Sequence, residues 1–417
     1  MQELEKIVKK IKQKTLPTIA EKKKVNSIIN FSKKRIEEQI KNLKINAEIF
    51  VGGSIAKNTW IKNHHDIDFF VRFNKKHKNI GKILQKIVKN VFKNSKVMHG
   101  SRDYCKVKYK NYNLEFVPVY EIKNPSEAEN SMDASLFHVE YVRGKIKENP
   151  KLADEIRVFK TFAKAQGVYG AETHIAGLSG YVSELLMIYY KKFSNLVKES
   201  ENLKPKIYID IEKYYKNKQE INRKLKDSKL MSPIIIIDPM LKKRNAAAAL
   251  DNETFSNLIF SLRMFSRKPT LKFFNEKKMK ISDIKKQSKK RGTLLAVETI
   301  KKEYLKEDVF LAKLKRVLKK VSNSLERKGI AVYNSGYFVE KNNLKIFYEL
   351  ETKKLSKYKK HFGPPVWIKK ENFNSFIKKH KNVYVSEGCL VCDSKREFED
   401  IKKFTLSILK KELSGIL

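Results

Sequence analysis

The chain has 417 residues, 41% of them hydrophobic and 11% aromatic, which is enough apolar material for real cores and excludes global disorder. Lysine and arginine number 91 against 46 aspartates and glutamates, and the formal net charge of +45 calls for solvation or a polyanionic partner, nucleic acid first among them. No run approaches ~18 apolar residues, the charged opening MQELEKIVKKIKQK lacks a signal peptide's apolar centre, and three cysteines make no disulfide framework, so no membrane partner and a reducing, cytoplasmic location are expected.

Leu4, Ile7, Val8 and Ile11 recur at helical spacing, and a second helix follows Pro17 with Val25, Ile28 and Ile29 inward. A short apolar run, Ala47 to Val51, ends in Gly52-Gly53-Ser54, and another, Ile67 to Phe73, comes soon after His64-His65. Ile80 to Val91 reads as an amphipathic helix, and Tyr104 to Lys110 and Leu114 to Tyr120 alternate like two strands of a hairpin. The first ~150 residues are thus an α/β unit with a mixed or antiparallel sheet. From Lys151 to about Phe265 the pattern is mainly helical, including a Lys-rich helix near Ile211 to Lys226, with one buried strand at Pro233 to Asp238. Beyond Ser266 come a Lys-rich segment, a helix through Phe310, Leu314, Val317 and Val321, alternating runs at Ile330 to Val339, Leu344 to Leu350 and Val383 to Cys392, and a closing helix. The fold class expected is α+β multidomain, divided as 1–150, 151–265 and 266–417.

The chemistry concentrates at Gly52-Gly53-Ser54, followed after eleven intervening residues by Asp66-Ile67-Asp68. Residues i and i+2 of a strand share a face, so Asp66 and Asp68 aim two carboxylates side by side. Like charges so placed raise one pKa unless a cation lies between them, and hard oxygen ligands suit Mg²⁺ first. The glycines and Ser54 let backbone N–H groups and a hydroxyl approach an anion. Glu115, inside the apolar run Leu114 to Pro118, is costly there unless paired or ligating a metal. Together these predict a two-metal phosphoryl-transfer site. No P-loop or Rossmann fingerprint is present.

The GGS, DID and LEF segments resemble the polymerase-beta-type nucleotidyltransferase superfamily. Phe137-His138, Val158-Phe159-Lys160, Gly167 to Glu172, Gly177 to Tyr181, and Ile237-Asp238-Pro239 followed by Lys243-Arg244-Asn245-Ala246-Ala247 are similar to the archaeal, class I CCA-adding family of tRNA nucleotidyltransferases. The resemblance runs from about Val51 to Leu250 and more loosely beyond. It implies a catalytic head, a helical neck, and a basic body and tail that grip the acceptor and TΨC arm of tRNA. It also implies CTP and ATP as substrates, untemplated addition of C, C and A, and pyrophosphate release. By position, it assigns metal ligands to Asp66, Asp68 and Glu115, triphosphate contacts to Gly53, Ser54 and Lys57, phosphate and ribose contacts to His138, Lys160 and Tyr169, and choice between C and A to Arg244. The family pattern has Arg where Lys57 stands, exchanging a bidentate fork for a point charge. It has Asp where Glu115 stands, adding a methylene. Oligomeric state stays open, a homodimer included.

Competing readings of single residues remain. His138 reads equally as a satisfied structural histidine, Tyr169 as core packing, Lys160 as a lysine snorkelling to solvent, and Arg244 as half of a surface bridge with Asp238. His64-His65 raises a transition-metal site without further ligands at the right spacing, and Cys389-x-x-Cys392 reads as packing. The functional rivals are an oligoadenylate-synthetase-like or poly(A) polymerase enzyme and a non-catalytic tRNA-binding relic.

Overall fold

A computed structural model describes residues 2–63, 66–100, 102–276, 279–301, 307–340 and 343–416; His64-His65 lies outside them. The chain parts into two units, Met1–Lys277 and Lys278–Leu417, each with its own cores.

The first unit opens with α1 (Gln2–Thr15) and α2 (Ile19–Asn42), the latter started by a capping box between Thr18 and Glu21. There follow β1 (Ala47–Val51), α3 (Gly53–Ala56), β2 (Asp66–Phe73), α4 (Ile80–Val91), β3 (Lys96–Met98), β4 (Tyr104–Tyr109) and β5 (Tyr112–Tyr120). The sheet order is β1-β2-β5-β4-β3, with β2 and β5 parallel and the other pairs antiparallel, so the expected sheet is mixed. The hairpin between β4 and β5 turns more tightly than the sequence implied, at Lys110-Asn111, with Lys110 at φ +54°.

Alternation along β2 decides what each face does. Ile67, Phe69, Val71 and Phe73 bury fully beneath α2 and α4, where Phe69 stacks on Phe116 of β5 at 4.9 Å. Asp66, Asp68 and Phe70 project from the opposite face, where Phe70, Val117 and Val119 meet Val139 of α5 (Ser135–Glu148). Four hydrophobes on one side thus anchor the strand that presents two carboxylates on the other.

The helical half comprises α6 (Leu152–Ala165), α7 (Gly180–Tyr190), α8 (Phe193–Glu199), the short α9 (Lys218–Lys224) and α10 (Asp227–Leu230), and α11 (Asn252–Arg267). Strands β6 (Ile207–Ile209) and β7 (Ile234–Ile236) pair in parallel. Phe159, Phe162, Phe193, Phe265 and Phe274 close one aromatic core, which α1 joins through Leu4, Ile7, Val8 and Ile11. Two differences from the sequence reading stand out. The Lys-rich helix expected near Ile211 to Lys226 is only the seven residues of α9, because Asn217 caps it and Asp210 holds the preceding turn at the Tyr215 N–H. Strand β6 lies in a segment read as helical. Helix α11 runs through position 265, and Phe265 and Phe274 share its core.

In the second unit, α12 (Ile281–Arg291), β8 (Leu294–Lys301), α13 (Glu307–Arg327), β9 (Val332–Val339) and β10 (Asn343–Leu350) form a sheet of order β8-β10-β9, with α13 and the terminal helix packed on it. Then β11 (Tyr358–Pro365), α14 (Lys370–Lys379), β12 (Tyr384–Ser386) and β13 (Cys389–Lys395) make a second small sheet before α15 (Ile401–Ser414). Cys392 is buried in that sheet's core and Cys389 is half-buried, both as free thiols. Among the described residues no helix is long and apolar enough to cross a membrane.

Candidate active site

The end of β1 must cross β2 closely, and only glycine permits it. A Cβ at Gly52 would lie 2.3 Å from the Phe70 ring, and one at Gly53, where φ is +58°, would lie 1.6 Å from Asp68 Oδ2. The Gly52 N–H donates to the Asp68 carbonyl at 2.8 Å, so the bend is pinned to the strand that carries the carboxylates. Ser54 follows at the start of α3.

Asp66 and Asp68 share a face of β2, and the parallel register sets Glu115 of β5 opposite Asp68. Asn113 Nδ2 donates to Asp66 Oδ1 at 2.8 Å. Burial and then the neighbouring Glu115 and Asp66 charges push the Asp68 carboxyl up to about 6, against the pull of Lys57 and Lys160. The like-charge crowding expected from the sequence is therefore present.

Glu115 is ion-paired, one of the two arrangements that its place in an apolar run calls for. Its Oε1 accepts from Lys106 Nζ at 2.8 Å, Lys106 standing opposite it on the antiparallel β4. Among the described residues no group of three or more His, Cys, Asp or Glu side chains stands in a metal-holding arrangement. Hard carboxylate oxygens and an Asp68 destabilised by its neighbours still fit a divalent cation between Asp66 and Asp68, with Glu115 at the margin.

A cleft of about 350 Å³ gathers Gly53, Ser54, Lys57, Asp66, Asp68, Glu115, Lys160 and Tyr169. Neither lysine there is a surface group. Lys160 is 3% exposed, so the snorkelling alternative is set aside: its ammonium donates to Glu184 Oε1 at 2.7 Å and to Thr59 Oγ1 at 3.1 Å. Lys57 donates to the other Glu184 oxygen at 2.6 Å. Burial pushes Glu184 up, but Lys160 and Lys57 overcome it and hold the carboxyl at about 2. Tyr169 lies half-buried in the cleft with Lys164 Nζ 5.1 Å above its ring. Burial, then the surrounding carboxylates, raise its hydroxyl pKa.

His138 and Arg244 stand beside this cleft on a second carboxylate. Asp238 is completely buried; Oδ2 meets His138 Nε2 at 3.1 Å and Arg244 Nη1 at 2.5 Å, and Oδ1 accepts from the Tyr181 hydroxyl at 3.2 Å. The pair of Arg244 with Asp238 is therefore no surface bridge. His138 is a satisfied histidine, stacked on Tyr181 with centroids 4.2 Å apart. Tyr181 also lines the first cleft, so it joins the two clusters. Arg244 borders a larger cavity of about 960 Å³ with Ser179, Tyr214 and Lys243.

Sequence reasoning missed Glu184, Tyr181, Lys164 and the hub role of Asp238. A charged residue inside an otherwise apolar helix, Glu184 among Val182, Leu185, Leu186 and Met187, was the available signal for the first.

A nucleotidyltransferase domain model matches residues 33–138, the second domain of tRNA nucleotidyltransferase matches 154–275, and the CCA-adding enzyme C-terminal domain matches 291–415. The chain is 38% identical to a CCA-adding enzyme of Nanoarchaeum equitans over 85% of this chain and 86% of that one. It is 30% identical to those of Methanococcus maripaludis (89% and 84% covered) and Methanocaldococcus jannaschii (88% and 82%). Among solved structures, the Cid1 poly(U) polymerase shares the fold at a TM-score of 0.53 and 13% identity, over 65% of this chain and 98% of that one. Nucleotidyltransferases of this kind depend on a divalent metal. With a polymerase-beta-like carboxylate strand, a glycine-serine bend and all three family domains in order, the chain belongs to the archaeal-type CCA-adding enzymes and is a nucleotidyltransferase.

Proposed function

We propose that the chain extends the 3′ end of tRNA with C, C and A from CTP and ATP, without a nucleic-acid template, by way of Asp66, Asp68 and the bend at Gly53-Ser54. The observation that carries this reading is the carboxylate pair facing the glycine-serine bend in one cleft with Lys57, Lys160 and Tyr169. The match of residues 291–415 to the CCA-adding C-terminal domain favours CCA addition over a poly(A)-type activity, which the shared fold alone does not separate.

The tRNA 3′-hydroxyl gives its proton to solvent and its oxygen bonds to the α-phosphorus as the bond from that phosphorus to the bridging oxygen breaks, and pyrophosphate leaves. Asp66 and Asp68 would hold Mg²⁺, with Glu115, tethered by Lys106, as a third ligand; such an ion would lower the hydroxyl pKa and offset phosphate charge. Ser54 and the backbone N–H groups of the bend face the triphosphate, and Lys57 and Lys160 turn their remaining N–H bonds to it. Lys57, unlike an arginine, donates as a point charge and sets phosphate position less tightly. Tyr169 faces the ribose. Arg244, oriented by Asp238 together with His138, approaches the base and selects C or A.

In this reading residues 1–150 are the catalytic head, 151–265 the neck, and 266–417 the basic body and tail. The last of these grips the acceptor and TΨC arm through phosphates and shape, in a cytoplasmic enzyme for which a homodimer is one arrangement. The test is Asp68→Ala. Incorporation of CMP into tRNA lacking its 3′ CCA should fall by about 1,000-fold or more, with tRNA affinity within about twofold of the parent. Incorporation near the parent rate would refute the assignment.

A further inference from the structure

The geometry points to Glu184 as the positioning residue of the triphosphate site: a buried carboxylate that fixes Lys57 from the head and Lys160 from the neck as one two-pronged cation. This rests on the functional reading above and deepens it.

Glu184 lies on α7 with no exposed surface, and its partners Thr59, Lys57 and Lys160 are 0%, 8% and 3% exposed. Each oxygen has its own ammonium: Oε2 takes Lys57 at 2.6 Å, and Oε1 takes Lys160 and the Thr59 hydroxyl, each at 2.7 Å. Thr59 Oγ1 in turn accepts from Lys160 at 3.1 Å, which closes a small ring of hydrogen bonds. Three residues of the set, Lys57, Lys160 and Glu184, line the cleft that holds Asp66 and Asp68.

Two ammonium groups on one carboxylate leave a net charge of +1 (two positive, one negative) at the floor of the cleft. A lysine has three N–H bonds and a flexible stem, so a lysine pair is a poor fork unless something fixes it. Glu184 takes one N–H of each and Thr59 a second from Lys160, which leaves two on Lys57 and one on Lys160 held in fixed directions. It therefore supplies, from two point charges, the rigid two-pronged donor that a single arginine carries in its own plane. The cluster recovers what Lys57 lacks.

A purely structural role is the competing account, since Glu184 also bridges head and neck. That seam has an independent tie, Arg157 Nη1 of α6 to the Asn58 carbonyl at 2.5 Å, so Glu184→Gln should fold. The readout is KM against kcat for CTP and for tRNA lacking CCA, with Mg²⁺, in the full-length chain. Glu184→Gln should raise KM for CTP about tenfold while KM for tRNA stays within about twofold. Combined with Lys57→Gln, the loss should be clearly less than additive, because both changes dismantle the same pair. An unchanged CTP KM, an equal rise in both KM values, or strict additivity with Lys57→Gln would overturn the proposal. If circular dichroism shows Glu184→Gln unfolded, Glu184→Asp, too short to reach both lysines, is read by the same criteria. Failure of the unmodified chain to transfer CMP at all would strike the functional reading instead.

Discussion

At the scale of single residues, Asp68 carries the most physical consequence. Its carboxyl sits above the ordinary range because it is buried and then because Glu115 and Asp66 crowd it. A carboxyl raised on folding disfavours the native state once ionised, so its contribution to stability worsens as pH rises from the unfolded value toward about 6. A divalent ion between Asp66 and Asp68 reverses that effect, and it must displace a proton when Asp68 is protonated. Saturating Mg²⁺ should therefore raise the melting temperature well above pH 6 and much less at pH 5, as differential scanning fluorimetry would read. An equal increment at both pH values would show that Asp68 takes no part in holding the ion. Glu184 and Asp238 behave in the opposite sense. Both are buried yet depressed to about 2 by cationic partners, so their contribution is present above the ordinary carboxylate range and fades only as pH falls toward about 2. The residue scale thus separates carboxylates that want a metal from those already neutralised by Lys, His or Arg.

At the scale of elements, the site is a strand held by its back. Ile67, Phe69 and Phe73 are fully buried, and the two carboxylates between and before them inherit that rigidity. The bend over the strand is equally constrained. Gly53→Ala puts a methyl group into the Asp68 carboxylate and forces φ +58° on a residue with a side chain. The turn can absorb roughly 1–2 kcal/mol of strain without unfolding, but the carboxylate must swing away. CMP transfer should fall by about 100-fold or more while far-UV circular dichroism stays native and the melting temperature drops by only a few degrees. Near-parental turnover would mean that the close crossing of bend and strand is incidental.

This scale also shows why some elements were readable and others were not. Helix α4 follows its period, and along strand β2 burial alternates as the sequence implies except at Phe70, which packs on the other face. Strands β8 and β11 are poorly buried, with patterns that match neither period, and both were missed, β8 because it lies within a stretch of the chain that is Lys-rich as a whole. The buried hubs were invisible for a different reason. Glu184 meets Lys57 across 127 positions, and His138 meets Asp238 across 100, distances over which local patterning carries no information. What the sequence did offer was the cluster of small and acidic residues at Gly52 to Asp68, which is local. The pairing that keeps Lys57 and Lys160 in place is tertiary and needed coordinates.

At the scale of the whole molecule, one chain carries two units, and the charge of +45 is spread along a sequence whose C-terminal residues match the CCA-adding C-terminal domain. The fold is shared with the Cid1 poly(U) polymerase at 13% identity, so fold by itself leaves the product open. The product is where the account is most exposed. The deciding measurement is single-turnover extension of tRNA ending at the discriminator base, at the first C and at the second C, each offered CTP and ATP separately and together with Mg²⁺. The account predicts two C additions on the first substrate, one on the second, a single A on the third, and a halt once CCA is complete. Open-ended homopolymer growth from any of the three, or addition of A before both C residues, would contradict it.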